Sequence, residues 1–133
     1  MATKFEVSTI FTILGSFVVY YLGGADTLLI VACSFILLDY ITGIAKGIMT
    51  KTLNSNKGLS GIVRKTMYLT AIIVSVLLDK VTHLNEAGLS FRAMMLLFVI
   101  GTEGISILEN LSIMGIKMPT KLQNIFEKLK DDE

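Results

Sequence analysis

The chain has 133 residues, of which 53% are hydrophobic and 17% charged. Its mean hydropathy of +0.70 is too high for an ordinary soluble domain and excludes a disordered chain. Twelve Lys and Arg against eleven Asp and Glu give a formal net charge of +1, so the global basic excess of a nucleic-acid binder is absent. A membrane protein is the class that these numbers favour.

Two apolar segments open the chain. Residues 7–22 hold sixteen uncharged residues before the turn-rich stretch 23–26, and this length is near the short limit for a spanning helix. Residues 27–49 carry only two charges, Asp39 and Lys46. We expect both segments to cross the membrane. A cleaved signal peptide is an alternative for the first one, because Lys4, an apolar run and small residues at 23–25 fit that pattern, although Glu6 does not.

A polar stretch at 50–61, rich in Lys, Asn, Ser and Gly, cannot be buried in lipid and predicts a central loop. The third apolar segment, residues 62–84, has an uncharged core with charged ends. The fourth, residues 89–116, is interrupted by one base and two acids, Arg92, Glu103 and Glu109. Two further crossings are therefore expected.

The tail at 120–130 has apolar residues at the i, i+3, i+4, i+7 spacing of an amphipathic helix: Leu122, Ile125, Phe126 and Leu129. Lysines flank this face, so we expect the helix to lie on the membrane surface. The predicted fold is all-α: a single integral membrane domain over residues 1–133, built of helical hairpins, with four transmembrane helices and a C-terminal amphipathic interfacial helix. A soluble helical bundle is the alternative, since shorter uncharged runs also occur in buried helices.

The distribution of bases predicts the orientation. Five bases and no acid lie between Lys46 and Lys65, and the tail adds four lysines, whereas the turn at 23–26 has no base. Because Lys and Arg in short connections stay on the inside, we expect the central loop and the C-terminus to be cytoplasmic. Four crossings also place the N-terminus there. Three crossings, with the first segment not inserted, would leave the loop and the tail inside and move only the N-terminus.

Charges inside apolar helices are costly in lipid and must be compensated. By depth they form an inner layer of Asp39, Arg64, Lys65, Glu103 and Glu109, and an outer layer of Asp79, Lys80, Glu86 and Arg92. They either hold the helices of one bundle together or line a path that fills with water in an oligomer, because one chain this small cannot enclose such a path. Small residues suit close helix packing: Gly43, Gly47, Gly101 and Gly104.

The chain carries one histidine, His83, and one cysteine, Cys33. The usual catalytic and zinc constellations cannot be assembled from these residues, and the phosphate-binding glycine motifs are absent from the sequence. We therefore expect no enzyme, no cofactor and no metal site.

Five stretches together resemble the toxin-secretion and phage-lysis holin family, whose members include the holin beside clostridial toxin genes. They are LDYITG at 38–43, LNSNKGLSGIVRK at 53–65, LD at 78–79, EGISILEN at 103–110, and GIKMP at 115–119 followed by KL at 121–122. The resemblance covers roughly residues 35–130. It departs at residues 1–34, which carry little of the pattern, and at Lys117, where an apolar residue is common.

The resemblance implies a multi-pass protein of the bacterial cytoplasmic membrane. Such a protein forms a homo-oligomer in the lipid bilayer and opens lesions that pass a cell-wall hydrolase or a large protein toxin. Two other functions stay open. One is a small proton-coupled exporter, although the first apolar segment lacks the acid that such exporters use. The other is an antiholin or inert anchor, which no single residue distinguishes from a holin.

Overall fold

The computed structural model describes residues 3–131, apart from the side chains of Phe5 and Lys57. Over this range the chain is all-helical, as predicted, with five α-helices: α1 (Lys4–Tyr21), α2 (Thr27–Met49), α3 (Ser55–Thr82), α4 (Phe91–Ile113) and α5 (Thr120–Asp131). A short 3₁₀ helix, Leu84–Ala87, connects α3 to α4.

Three of the described helices are long enough and apolar enough to cross a bilayer: Thr27–Met49, Gly58–Thr82 and Phe91–Ile113. They coincide with the second, third and fourth apolar segments of the sequence. The apolar part of α1, Glu6–Tyr21, is shorter and is not among these candidate spans. The fourth crossing therefore stays a prediction.

Capping side chains set helix starts that hydropathy does not reveal. At α1, Thr3 and Glu6 form a capping box, in which each side chain accepts a hydrogen bond from the other residue's backbone N–H. At α3, the side chain of Asn54 accepts from the N–H of Asn56 at 2.8 Å. The helix therefore begins at Ser55, seven residues before the predicted start at 62, and the polar loop shrinks to residues 50–54.

The ends of α4 also differ from the predicted segment 89–116. Ser90 caps the helix by accepting from the N–H of Ala93 at 3.1 Å, so α4 begins at Phe91. The helix ends at Ile113 because the backbone turns at Gly115, whose φ of 89° leaves the helical region.

The described helices are arranged around α4, which packs against α2, α3 and α5. The hydrophobic core lies where α2, α3 and α4 meet and consists of Leu22, Leu29, Ala32, Ile72, Leu96, Val99 and Ile100. Helix α1 stands outside this core: its described side chains are exposed except for Val19, which is half-buried.

Helix α5 forms where the amphipathic pattern predicts it, and its apolar face is partly covered: Phe126 and Leu129 are half-buried, whereas Leu122 and Ile125 are exposed. Phe126 and Leu129 pack against the core, and the ring of Phe126 meets that of Phe35 on α2 at a centroid distance of 5.5 Å. The position expected for this helix was flat on the membrane surface. In the structure it runs back along α4, and its place on the membrane surface stays a prediction.

Candidate functional site: a buried cluster of charges

Three membrane-length helices each contribute one charge to a buried cluster. The ammonium group of Lys65, on α3, donates to Asp39 Oδ2 on α2 at 2.9 Å and also to Glu103 Oε2 on α4. The side chains of Lys65, Asp39 and Glu103 are only 12%, 9% and 2% exposed. One cation therefore ties two carboxylates, and with them three helices, together.

Asn110 extends the cluster by two turns of α4. Its Nδ2 donates to Asp39 Oδ1 at 3.1 Å and to Thr42 Oγ1 at 3.2 Å, while its Oδ1 accepts from Lys46 Nζ at 2.5 Å. Asp39, Thr42 and Lys46 share one face of α2 because they are spaced i, i+3, i+7. With Lys46 and Lys65 against Asp39 and Glu103, the cluster is formally neutral.

The cluster lies beside a cleft of about 300 Å³ between α2, the start of α3 and α4. The cleft is open to the surroundings and is lined in part by Asp39, Lys46, Lys65, Ser106 and Asn110. Water has polar partners along this cleft. The charges are therefore buried from lipid but border a space that water can occupy.

Of the inner-layer residues predicted from the sequence, two lie outside the cluster. Arg64 is exposed on the rim of the cleft and makes no hydrogen bond or ion pair within the part of the chain that the structure describes. Glu109 is also exposed and borders a different shallow cavity with Ser112, Met118 and Gln123. The structure thus brings together Asp39, Lys65 and Glu103.

At the other end of the bundle, Asp79 caps α4 from a neighbouring helix. Its carboxylate accepts from the backbone N–H groups of Phe91 at 2.7 Å and Arg92 at 3.1 Å, and from the hydroxyl of Ser90 at 2.9 Å. The first N–H groups of a helix have no partner within it and carry a partial positive charge. The buried carboxylate therefore fastens the end of α3 to the start of α4.

Arg92 fixes the turn between α1 and α2. Its guanidinium donates to the carbonyl oxygens of Leu22 at 2.7 Å and Gly24 at 3.0 Å, and to both carboxylate oxygens of Asp26. The hydrogen bonds from Arg92 to the carboxylate lower the pKa of Asp26 to about 2. A Cβ at residue 23 would lie 2.6 Å from Arg92 Nε, and Gly23 has a φ of 82°, so the turn requires glycine there.

The remaining outer-layer residues are on the surface. Lys80 Nζ lies 4.4 Å from the centre of the Tyr20 ring, a cation–π contact between α3 and α1. Glu86 pairs with His83 at 3.3 Å, and both side chains are largely exposed.

The four glycines proposed for close packing have different neighbours. A Cβ at Gly43 would meet Asn110 at 3.8 Å, an ordinary contact, and one at Gly47 would meet the side chain of Leu53 at 2.9 Å. Gly101 and Gly104 both lie under α5. The closest approach of two helices through glycine is therefore between α4 and α5.

Sequence reasoning missed Asn110 and the partnership of Arg92 with Asp26. Asn110 follows Glu103 by seven residues and so shares its helix face, a spacing that would have brought it into the inner layer. In the described residues, His, Cys, Asp and Glu side chains form no group of three or more that could hold a metal ion.

Comparison with known proteins identifies the family. The model of the bacteriophage holin family matches residues 16–131. A probable holin of Bacillus phage phi105 is 34% identical over 72% of this chain and 69% of its own length. An uncharacterized 14.9 kDa protein from the nagH 3′ region of Clostridium perfringens is 40% identical over 89% of this chain and 88% of its own length.

YqxH, an uncharacterized protein of Bacillus subtilis, is 33% identical over 86% of this chain and 79% of its own length. No solved structure matches the chain. The family match covers α2 to α5 completely and includes every residue of the buried cluster. The chain is an integral membrane protein without enzymatic activity, and it belongs to the bacteriophage holin family.

Proposed function

We propose that this chain assembles into a homo-oligomer in the bacterial cytoplasmic membrane and opens lesions that pass a cell-wall hydrolase or a large protein toxin. The observation that carries the proposal is the ion-paired cluster of Asp39, Lys65 and Glu103, which joins three membrane-length helices. A holin needs a closed state that survives in lipid and an open state that contains water, and this cluster is suited to both.

In the closed state the cluster satisfies its charges within one chain, so lipid meets none of them. Separating the helices would leave two carboxylates and an ammonium group unpaired, which lipid does not tolerate. Helix separation is therefore coupled to the entry of water or of polar groups from a second copy. The adjacent cleft gives water a route to Asp39 and Lys65. The cluster thus keeps the assembly closed until water or polar groups reach its charges.

The proposed threading has four crossings, with α1 as the short fourth span. This arrangement places Lys4, the loop at 50–54 and the connection to α5 on the cytoplasmic side. The exposed apolar surface of α1 supports it, because Phe11, Ile13 and Phe17 are each at least 60% exposed and require lipid around them.

Two neutral variants test whether the cluster governs opening. In Asp39→Asn and Glu103→Gln the side-chain shape is kept while one charge is lost, so Lys65 is held by one carboxylate instead of two. If the cluster governs opening, membrane-inserted protein stays nearly constant but the time of depolarisation in expressing bacteria shifts. If the cluster only holds the helices together, abundance falls and the surviving protein depolarises the membrane at the parent time. Unchanged timing with reduced abundance would therefore show that the cluster does not govern opening.

Assembly is tested by chemical crosslinking in membranes. We expect a ladder of species above the dimer. Gly43→Leu should shorten it, because the larger side chain meets Asn110 on α4 of the same chain and distorts the bundle that assembles. Gly15→Leu is the matched control, since nothing lies within 4 Å of a Cβ at Gly15. A chain that remains monomeric would exclude the oligomer. One that assembles without ever depolarising the membrane would indicate an antiholin or anchor.

A further inference from the structure

The cleft beside the charge cluster has more hydrogen-bond donors than free acceptors. Lys46 Nζ carries three N–H groups, and within the described residues it donates only to Asn110. Arg64 carries five and forms no hydrogen bond or ion pair with the part of the chain that the structure describes. Asp39, the acid among the lining residues, already accepts from Lys65 and Asn110. The cleft is therefore suited to an anion that is rich in acceptors.

Arg64 also gives the cleft a surplus of positive charge. The four charges of the neighbouring cluster cancel, so the guanidinium adds one formal positive charge at the rim. Arg64 lies in the membrane-length segment Gly58–Thr82, six residues or about 9 Å from the loop end. A charge at this depth requires a partner, and a long side chain can reach the headgroups. Because guanidinium binds phosphate through two parallel hydrogen bonds, phosphate is the anion that this position favours.

Two glycines of α3 leave part of the cleft wall without side chains. Gly58 and Gly61 line the cleft, and a Cβ at either position would have nothing within 4 Å. Helix packing therefore does not require glycine at these positions, although glycine is one of the least favourable residues inside a helix. Gly61 precedes Arg64 by three residues and so shares its side of α3. The two glycines leave room for a ligand beside the helix that carries the guanidinium.

Part of the lining is apolar and open to the surroundings. Tyr40, Ile44 and Leu53 line the cleft and are all exposed. A free phosphate ion gains nothing from such a surface, whereas the acyl chains of a phospholipid can cover it. The volume of about 300 Å³ is at the lower end of the range of roughly 300–1,000 Å³ for ligand sites. It suits a headgroup whose acyl chains stay in the bilayer.

We propose that this cleft binds an anionic phospholipid, whose phosphate accepts hydrogen bonds from Lys46 and Arg64 while its acyl chains cover Ile44 and Leu53. Basic pockets between membrane helices are suited to such headgroups. Lys46 is on α2 and Arg64 on α3, two helices that pack little against each other, so the bound lipid stabilises the bundle at its loop end. The inference needs a folded bundle in a membrane but neither an oligomer nor a lesion, so its failure would leave the proposed function untouched.

Thermal denaturation with added lipid tests the site. The full chain is purified in a nonionic detergent, and its melting midpoint is measured as phosphatidylglycerol is added. We expect a rise that saturates, because a ligand that binds only the folded state stabilises it. Phosphatidylcholine, whose phosphate is balanced by its own cation, should give a much smaller rise. Inorganic phosphate at the same concentration should give none, because it has no acyl chains.

Two variants test the donor and the space separately. Arg64→Gln should weaken the apparent affinity for phosphatidylglycerol about tenfold, the order expected for one lost hydrogen bond between charged groups. Gly61→Leu should fill the cleft and abolish the rise. Because nothing lies within 4 Å of its Cβ, this variant should melt no lower than the parent when lipid is absent. Lys117→Gln is the matched control, since Lys117 is exposed at the same end of the bundle but does not line the cleft, and it should keep the parent affinity.

Each outcome decides for or against the site. A rise with phosphatidylglycerol that both variants weaken and the control keeps supports the inference. No rise in the parent, or a rise that neither variant changes, overturns it. An equal rise with phosphatidylcholine, or an equal loss in Lys117→Gln, reduces the effect to general attraction and also overturns it. An equal rise with inorganic phosphate makes the ligand a soluble anion and overturns the lipid assignment. If Arg64→Gln does not fold, Gly61→Leu alone decides.

Discussion

Replacing Lys65 by methionine is the most informative single change, because its ammonium group pairs with two buried carboxylates. In Lys65→Met the side chain keeps a similar length but can no longer donate. Asp39 retains its hydrogen bond from Asn110, whereas Glu103 loses the hydrogen bond that it accepts from Lys65. Two negative charges then face each other between α2 and α4.

The expected cost follows from burial. Asp39 and Glu103 are 9% and 2% exposed, so solvent does not screen them as it screens a surface pair. Removing one partner of a buried ion pair typically costs about 3–5 kcal/mol. That is a large share of a folding free energy of about 5–15 kcal/mol. We therefore expect Lys65→Met to be poorly abundant in the membrane.

A triple variant separates lost charge balance from lost packing. Lys65→Met combined with Asp39→Asn and Glu103→Gln has no buried charge from these residues, so most of the lost stability should return. The matched control for the single variant is Arg64→Met, since Arg64 is the exposed neighbour and makes no ion pair with any residue that the structure describes.

The assay is the amount of protein in the membrane fraction together with the midpoint of thermal denaturation in detergent micelles. Lys65→Met should fall well below both the parent and Arg64→Met on each measure, and the triple variant should approach the parent. A Lys65→Met protein as abundant and as heat-stable as the control would refute the reasoning, because the carboxylates would then not depend on this cation.

Three further predictions concern the ends of the bundle. Asp79→Ala should lower the free energy of unfolding by about 1–3 kcal/mol, because the N–H groups at the start of α4 lose their acceptor, and denaturation in detergent measures this loss. Arg92 lowers the pKa of Asp26 from 3.8 to about 2, so their pairing stabilises the turn fully above 3.8 and is lost as the pH falls through about 2. Because Asp26 is half-exposed, the gain is at most about 1 kcal/mol, and Asp26→Asn should remove this part of the acid dependence of the melting temperature. Finally, Ser55→Cys in a Cys33→Ala background should resist a membrane-impermeant thiol reagent added to whole cells, and rapid labelling would reverse the proposed topology.

Hydropathy located the helices because it is a local property of the chain. The segments predicted at 27–49 and 89–116 differ little from α2 and α4. Helix α3 differed more, since the cap by Asn54, and not the composition of residues 55–61, decides where this helix begins. A composition-based boundary counts residues, whereas the real boundary depends on which side chain satisfies the free N–H groups.

Partners within the cluster were harder to predict than its members. The sequence placed Asp39, Lys65 and Glu103 at similar depth, but depth alone also admits Arg64 and Glu109. The choice among them depends on how each helix is rotated about its own axis, which follows from the packing of all three helices. For the same reason the contact of Phe126 with Gly104 was not predictable, because amphipathicity shows that a face will be covered without showing by what.

The central place of α4 has a consequence for biogenesis. Helices α2 and α3 leave the ribosome before α4, yet each packs more against α4 than against the other. Until α4 is synthesised, Glu103 is missing from the cluster and Asp79 has no helix start to cap. We therefore expect α2 and α3 of the nascent chain to associate only loosely. Synthesis of α4 completes the bundle, so a chain stopped before α4 should not form it.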